Sequence, residues 1–311
     1  MDLTVSPHVL AIGETLMDCV QPFGASEPTN EYPGGSPANV AMTLGRLGRP
    51  VALHTWIGQD LRGERIVEHF SASHVSITPD SFGADHTSTA LATLDESGAA
   101  TYTFDFDWNL TAPLPLTGME RIVHAGSISS TTEPGATAVL DALIRARRHA
   151  IITYDPNARP TLMGQPHMAL AQVCRFLAVA DVVKVSDEDI AWLTGNHDLE
   201  DVVREWLALG PQMIIVTRGK QGALAFTASG VRCSSVPGKV KVADTVGAGD
   251  SFMGGIIDAM WSLGLVGVMS RPVLRDVDST KVDTILARAS AISDITVSRS
   301  GANPPWLSEL A

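Results

Sequence analysis

The segment DTVGAGDSFMGG, residues 244–255, places small residues and an acid directly ahead of an apolar run. Gly247, Ala248 and Gly249 precede Asp250, and apolar residues then recur at helical spacing. Small residues at a helix start leave the first N–H groups uncovered, and the helix dipole adds positive potential there. A lone Asp in a first turn is ordinarily a stabilising cap. With three small residues before it, Asp250 is better interpreted as a general base beside an anion-binding site.

The DTxGAGD pattern resembles the signature of the ribokinase-like carbohydrate kinases, the PfkB family, and within it the fructokinases. The resemblance implies an ATP-dependent kinase in which the amides of Gly247, Ala248 and Gly249 stabilise the transferred phosphoryl group. Asp250 then takes the proton of the attacking sugar hydroxyl. Phosphoryl transfer depends mainly on positioning and charge stabilisation. A carboxylate of ordinary basicity therefore suffices, because bonding to phosphorus acidifies the hydroxyl before the proton moves.

GETLMDCV and YPGGSPANVAMTLGRLG resemble the sugar-binding segments of the fructokinases. In the first segment, Asp18 corresponds to an Asp that binds sugar hydroxyls, and its alternative is an edge-strand carboxylate facing water. In the second segment, Ser36 is predicted to cap a helix, and in GQDLRG, which resembles a turn of the same family, Asp60 is predicted to cap the next helix. Gly34 and Gly35 let the loop approach a ligand closely. The resemblance assigns substrate binding to these two glycines and to Asn39.

Thr87–Leu94 and Thr101–Phe106 are β-prone runs separated by the turn signal DESGAA. The pair predicts a small antiparallel sheet, which in the resembling family is the lid over the sugar. Many fructokinases have an aromatic residue followed by Arg near this point, whereas this chain has Asp105 and Asp107. That departure leaves the identity of the sugar open. Phe104 is a candidate for stacking on the sugar, with aromatic packing inside the lid as the alternative.

Polar residues also follow several predicted strands, at the end of the sheet where open α/β folds bind ligands. Gly126 in VHAGSIS, and Asn157 and Arg159 in DPNAR, resemble substrate-side positions, and a surface salt bridge is the alternative for Arg159. VVKVSDEDIA aligns with the magnesium-linked element of the family through Asp189 and the adjacent Glu188. Contact with Mg²⁺ through water is expected there. Capping of a helix explains the same two residues.

Nucleotide contacts are implied by the resemblance in TRGKQG and in the closing segment SRSGANPP. The residues assigned to ATP are Lys184, Ser186, Thr217, Gly219, Gly222, Gly249 and Asn303. Lys184 is alternatively a local pairing residue. Relatives also hold a monovalent cation, K⁺ here, and the corresponding ligands are Asp244 and backbone carbonyls around Val246, Thr296 and Gly301. No GxxxxGK[ST] or GxGxxG motif is present, which counts against a P-loop NTPase and a Rossmann dehydrogenase.

Composition limits the partners and the compartment. The net charge of −12 argues against nucleic acid or an anionic membrane surface, although local amides and magnesium still permit ATP binding. Three widely spaced cysteines without a CxxC pair indicate a reduced, cytoplasmic protein. The N-terminal residues lack a basic region typical of a secretory signal, and no apolar run is long enough to span a bilayer.

The elements that must position these residues are short apolar strands alternating with amphipathic helices. The predicted fold is α/β: a ribokinase-like, doubly wound, mostly parallel sheet flanked by helices, in a single domain over residues 1–311. A small β-sheet lid is predicted from segments of about 17–33 and 87–108. Because lids of this kind pair between subunits in relatives, the resemblance implies a homodimer.

The leading function is an ATP-dependent kinase acting on a primary hydroxyl of a small sugar, with D-fructose, phosphorylated at O6, as first substrate. The alternative is a 2-keto-3-deoxygluconate kinase, which shares DPNxR, or another PfkB sugar kinase. A sugar-binding regulator without turnover is a further alternative, against which the intact Asp250 and its glycines weigh.

Overall fold

The computed structural model describes residues 5–96, 100–111 and 113–310, and within these ranges the chain forms two β-sheets with helices around them. The strands are β1 (His8–Ile12), β2 (Leu16–Gln21), β3 (Asn30–Gly34), β4 (Val51–His54), β5 (Val75–Ile77), β6 (Thr89–Leu94), β7 (Ala100–Asp105), β8 (Glu120–Gly126), β9 (Ile151–Asp155), β10 (Val182–Ser186), β11 (Met213–Thr217), β12 (Ala223–Thr227) and β13 (Arg232–Ser235). The α-helices are α1 (Ser36–Arg46), α2 (Leu61–Ala72), α3 (Gly135–Ala146), α4 (Pro160–Met163), α5 (Pro166–Leu177), α6 (Asp187–Thr194), α7 (Leu199–Leu207), α8 (Ala248–Ser262), α9 (Arg271–Arg275) and α10 (Ser279–Val297). In the described ranges no helix is both long and apolar enough to cross a bilayer.

The larger sheet has nine strands in the order β13-β12-β11-β10-β9-β8-β1-β4-β5. All neighbours pair in parallel except β11 with β12 and β12 with β13, so the prediction of a mostly parallel sheet is confirmed. The chain runs outward from β1 to β5 on one side and from β8 to β13 on the other. The order therefore reverses between β1 and β8, and open α/β sheets bind ligands outside the carboxyl ends of strands at such a point.

Alternate residues of the central strands supply two separate cores. On β1, Val9 and Ala11 belong to the core that contains α1, α8 and α10, whereas Leu10 and Ile12 belong to the core that contains α3, α5, α6 and α7. Strands buried on both faces are apolar throughout because successive side chains point to opposite sides. The doubly wound prediction is therefore confirmed.

The smaller sheet has the order β3-β2-β6-β7 and is formed by residues of the two segments predicted for the lid. β6 and β7 are antiparallel, as predicted, although the turn DESGAA between them lies partly outside the described residues. The central pair, β2 and β6, is parallel, so the sheet is mixed rather than antiparallel. Parallel neighbours need a long crossover. Here β3 to β5 with α1 and α2 supply it, and a local sequence pattern does not reveal it.

Two predicted helix caps have different outcomes. Asp60 caps α2, since its carboxylate accepts a hydrogen bond from the amide of Gly63 at 2.8 Å, and its predicted structural role is confirmed. Ser36 does not cap α1: the N-cap is Gly35, at φ 116°, and no side chain caps this helix start. The prediction for Ser36 is wrong, because its hydroxyl is bonded elsewhere, to Asp250.

Candidate active site

The start of α8 carries the predicted anion site. Gly247 is its N-cap, with φ at 74°, and a β-carbon there would lie 2.6 Å from Cβ of Ala302, so glycine is required on both counts. No side chain caps this helix. The amide of Ala248 donates to the carbonyl of Thr245 at 3.2 Å, whereas the amides of Gly247 and Gly249 have no partner among the described residues. Two of the three predicted amides are thus free to bind an anion.

Asp250, the predicted base, is buried in the first turn of α8, with 7% of its surface exposed. Ser36 Oγ donates to its Oδ1 at 2.7 Å, and Asn39 Nδ2 donates to its Oδ2 at 2.8 Å. Asn157 Nδ2 approaches Oδ1 at 3.4 Å. Two residues predicted to bind substrate, Asn39 and Asn157, therefore contact the predicted base.

Ser36 is the residue of this site that sequence reasoning did not find. A Ser before Pro at a helix start ordinarily indicates a cap, and nothing in the local sequence points to a contact 214 residues away. The contact exists because α1 and α8 pack side by side on the same face of the large sheet. Only the packed structure reveals it.

A buried ion pair lies directly beneath the anion site. Lys184 Nζ is 2.8 Å from Asp155 Oδ2, and a β-carbon on Gly249 would lie 2.8 Å from the same Nζ. Burial raises the pKa of Asp155 to about 6, against the opposing effect of Lys184. Burial alone would lower the pKa of Lys184, but the carboxylates of Asp155, Asp189 and Asp250 raise it, so the ammonium stays charged. Lys184 thus adds positive charge under the first turn of α8.

Asp18 lies on the small sheet near the predicted sugar cleft. Its strand β2 is flanked by β3 and β6, so Asp18 is not on an edge strand, but its side chain does face water, as the alternative supposed. A β-carbon on Gly34 would lie 2.2 Å from Asp18 Oδ2, which explains glycine at that position. Although Asp18 is accessible to water, desolvation by surrounding protein atoms raises its pKa to about 6, while the guanidinium of Arg159 opposes the shift.

Arg159 lies in the loop after β9 and within electrostatic range of Asp18. Its Nη1 donates to Asn157 Oδ1 at 2.9 Å and to the carbonyls of Asn157 and Ala158. In the described ranges its guanidinium has no carboxylate within 4.0 Å. The alternative of a surface salt bridge is therefore wrong for these residues. The predicted contact of Arg159 with the substrate stays a prediction.

Asp105, one of the two acids that replace the expected Arg, does not share the face of Asp18. Register pairs Asp18 with Ala90 and Ala90 with Phe104, so Phe104 is on the Asp18 face of the small sheet. Asp105 is the next residue and therefore lies on the opposite face, where it pairs with His86 at 3.0 Å. The acidic substitution thus leaves the Asp18 face without the charge of Asp105.

The aromatic residues near this sheet are largely packed against one another. Phe104 is stacked on Tyr102, with centroids 6.2 Å apart, and remains partly accessible. Phe106 is stacked on Trp108, which is buried and donates its Nε1–H to the carbonyl of Ser129. Phe104 therefore remains the aromatic candidate for contact with a sugar, whereas Phe106 and Trp108 have packing roles.

The magnesium-linked residues act as a helix cap. The hydroxyl of Ser186 accepts from the amide of Asp189 at 2.9 Å, and Asp189 accepts from the amides of Ser186 and Ala158. Glu188 is exposed. Over the described ranges there is no group of three or more His, Cys, Asp or Glu side chains suited to a metal ion. This part of the chain therefore fits a magnesium ion bound mainly by phosphate oxygens and water.

The predicted nucleotide loop is a tight turn between β11 and β12. Gly219 and Gly222 have positive φ values of 49° and 84°. A β-carbon on Gly222 would lie 1.9 Å from the carbonyl oxygen of Ser235, whereas Gly219 has open space around it. Thr217 is partly accessible at the end of β11, and its hydroxyl approaches the carbonyl of Val185 at 3.4 Å. Gly222 thus permits the turn, as predicted.

Asn303 and Gly126 have structural contacts that account for their residue types. Asn303 Oδ1 accepts from Arg46 Nη1 at 2.6 Å, which fastens the C-terminal segment to α1. Gly126 ends β8, and a β-carbon there would lie 2.1 Å from the carbonyl oxygen of Asp155. Their predicted ligand contacts stay predictions.

The segments predicted to hold a monovalent cation converge ahead of α8. Asp244 accepts from the amides of Val246 at 3.0 Å and Gly301 at 2.8 Å, and these bonds lower its pKa. The amide of Asp244 in turn donates to the carbonyl of Val297, next to Thr296. The four predicted positions therefore lie in connected segments.

Comparison with known proteins identifies the class of enzyme. A family model described as pfkB family carbohydrate kinase matches residues 6–309, and the chain belongs to this family. The chain is 34% identical over 263 residues to a fructokinase of Rhizobium leguminosarum bv. trifolii, covering 81% of this chain and 79% of that protein.

Solved structures give the same picture. The fructokinase of Xylella fastidiosa with bound ATP superimposes with a TM-score of 0.82 and 26% identity, covering 97% of this chain and 96% of that chain. A fructokinase of Vibrio cholerae O395 in a fructose-, ADP- and calcium-bound form has a TM-score of 0.74 and 26% identity, over 96% of this chain and 95% of that chain. The ribokinase-like architecture predicted from the sequence is confirmed.

Proposed function

We propose that this carbohydrate kinase transfers the γ-phosphate of ATP to a primary hydroxyl of a small sugar, and that the sugar is D-fructose, phosphorylated at O6. The observation that carries the proposal is the buried carboxylate of Asp250, held by donors beside two free glycine amides. The fructokinases to which the chain is similar support the choice of sugar.

In the proposed mechanism, Asp250 accepts the proton of the sugar hydroxyl as that oxygen bonds to the γ-phosphorus. The amides of Gly247 and Gly249, with the dipole of α8, stabilise the charge on the transferred group. The ammonium of Lys184 adds to the positive potential at the start of α8. Asp18 on the small sheet and Arg159 in the loop after β9 bind the sugar.

Mg²⁺ is proposed as a partner of the nucleotide. It supplies charge neutralisation on the phosphate oxygens when bound, and Asp189 and Glu188 would reach it through water. K⁺ is proposed in the connected segments around Asp244, where backbone carbonyls would hold it. Both assignments are testable by omitting each cation in turn from the assay.

We further propose that residues 1–311 act as a single kinase domain whose small sheet covers the sugar. The three cysteines are unpaired, which supports a cytoplasmic location. Pairing of small sheets between two subunits is the proposed homodimer contact.

Coupled measurement of ADP release with a panel of sugars tests the function. Fructose is expected to give the highest kcat/KM, while preference for 2-keto-3-deoxygluconate would support the alternative kinase. Equal turnover of ribose would exclude both. Sugar binding by calorimetry with no ADP formed would instead indicate a regulator.

Asp250→Asn tests the base. We expect kcat to fall by about 10²- to 10⁴-fold with ATP affinity largely kept, because the amide cannot accept the proton. Asp105→Asn is the matched control, since Asp105 lies on the other face of the small sheet. An unimpaired kcat in Asp250→Asn would contradict the assignment.

A further inference from the structure

The first turn of α1 offers a donor to each oxygen of the Asp250 carboxylate. Ser36 and Asn39 lie three residues apart, on one face of the helix. Ser36 is 6% exposed and Asn39 is 7% exposed, so both bonds are shielded from water. Ser36 Oγ donates to Oδ1 at 2.7 Å, and Asn39 Nδ2 donates to Oδ2 at 2.8 Å.

The start of α1 is arranged so that the Ser36 hydroxyl does not serve its own helix. The N-cap position is occupied by Gly35, and a β-carbon there would lie 2.4 Å from the carbonyl oxygen of Glu14. A side-chain cap is therefore sterically excluded at Gly35. The hydroxyl of Ser36, one residue later, is directed to α8 instead, although leaving a helix start uncapped has a cost in stability.

The donors are distributed unequally between the two carboxylate oxygens. An ionised carboxylate has about four lone-pair sites, two on each oxygen. Oδ1 receives Ser36 and, at 3.4 Å, Asn157, whereas among the described residues only Asn39 donates to Oδ2. The unused acceptor site is therefore on Oδ2.

We propose that Ser36 is a positioning residue for the phosphoryl transfer, which anchors Oδ1 so that Oδ2 takes the proton of the acceptor hydroxyl. The inference rests on the proposed function, because it requires Asp250 to be the base. In the step, the sugar oxygen bonds to the γ-phosphorus, the bond from that phosphorus to the β–γ bridging oxygen breaks, and the hydroxyl proton moves to Oδ2.

The charged groups near Asp250 are Asp155 on β9 and Lys184 on β10, which form their own ion pair. Neither contacts Ser36 among the described residues, so both stay in place when Ser36 is changed. The donors to Asp250 from α1 and the β9 loop are neutral. A fall in kcat on changing Ser36 therefore reports the lost hydrogen bond.

Ser36→Ala is the test, with fructose and ATP as substrates. We expect kcat to fall by about 10- to 100-fold, the size of a lost hydrogen bond to a charged group, with both KM values within about twofold. Ser36→Thr keeps the hydroxyl and is expected to restore most of the kcat.

Ser270→Ala is the matched control for loss of a buried hydroxyl. Ser270 is 8% exposed and donates to the carbonyls of Gly264 and Val266. We expect that variant to keep the kcat of the wild type. Melting temperatures of all variants separate a folding defect from a catalytic one, and a fall in kcat of Ser36→Ala without a matching rise in KM decides the question even if Ser36→Thr is poorly folded.

Failure of the role proposed for Ser36 can be distinguished from failure of the proposed function. If the wild type phosphorylates fructose, Asp250→Asn is inactive, and Ser36→Ala has the kcat of the wild type, only the role of Ser36 is overturned. If the wild type phosphorylates no sugar, or Asp250→Asn keeps full kcat, the proposed function is overturned and the role of Ser36 with it.

Discussion

Replacing Lys184 by Met breaks the ion pair beneath the anion site and leaves the carboxylate of Asp155 alone in the protein interior. Asp155 is 0% exposed, and Lys184 is 3% exposed. The ammonium is the only cationic partner within 4.0 Å of that carboxylate among the described residues. Because Met fills a similar volume, the change removes the charge with little change in packing.

The expected loss in the free energy of unfolding is about 3–5 kcal/mol, the usual effect of removing one member of a buried pair. With an unfolding entropy of about 2.1 cal/mol/K per residue, a chain of 311 residues is expected to melt roughly 5–8 °C lower. Asp155→Asn combined with Lys184→Met removes both charges. We expect the double variant to recover at least half of the loss.

The loss of stability in Lys184→Met is expected to depend on pH. Burial already raises the pKa of Asp155 to about 6 from 3.8, against Lys184, and without the ammonium this rise is unopposed. A carboxyl whose pKa is higher in the folded state takes up its proton there first, so stability increases as pH falls. The gap between Lys184→Met and the wild type is therefore expected to shrink between about pH 8 and about pH 5.

Thermal and urea unfolding at the two pH values measure this effect. Lys239→Met is the control, because Lys239 is exposed and its loss is expected to cost less than about 0.5 kcal/mol. A single variant that loses under about 1 kcal/mol, or a deficit that is the same at both pH values, would refute the reasoning.

Two further predictions concern the nucleotide turn and the attachment of the small sheet. Gly222→Ala puts a side chain on a residue at φ 84° and against the carbonyl of Ser235, so we expect a loss of about 1–3 kcal/mol in stability. We also expect the KM for ATP to rise more than the KM for fructose. Glu31→Gln weakens the contact of β3 with Arg62 and Arg65 on α2. The hydrogen bond with Arg62 lowers the pKa of Glu31 from its usual 4.5. The ion pairs therefore contribute about 1 kcal/mol or less to stability at pH values above 4.5, and this contribution disappears as the pH falls through the lowered pKa.

Each of these predictions has its own control. Gly230→Ala has a similar φ of 92° but open space around it, so it isolates the backbone strain from the clash expected at Gly222. A KM for ATP that rises equally in both variants would contradict the role of the turn. For Glu31→Gln, unfolding curves that differ from the wild type by the same amount at about pH 7 and about pH 3 would show that the ionised Glu31 contributes nothing to stability.

Local sequence was informative wherever short-range physics decides the outcome. The start of α8, with glycine ahead of Asp250, could be predicted from adjacent residues, because a left-handed backbone and uncovered amides depend mainly on residue type. The cap of α2 by Asp60 is similarly local. The alternation of apolar strands and amphipathic helices predicted the large sheet, since burial on both faces demands it.

Long-range contacts were not readable in the same way. Ser36 has the local sequence of a helix cap, yet its hydroxyl bonds a residue on another helix. Asp105 is a plausible cleft residue by position, but the pairing of β6 with β7 places it on the far face. Asp189 caps its own helix, as the local alternative predicted, but the sequence does not show that it also accepts the amide of Ala158, 31 residues away.

The sequence by itself determined the family and predicted the anion site and the acid beside it, because these depend on a few neighbouring residues with narrow conformational choices. Only the tertiary structure decided which donors hold Asp250 and which lysine lies beneath it. Those partners belong to α1, the β9 loop and β10, and they meet α8 only because strand order and helix packing bring distant segments into van der Waals contact. Burial then makes each contact strong, since water no longer competes for it.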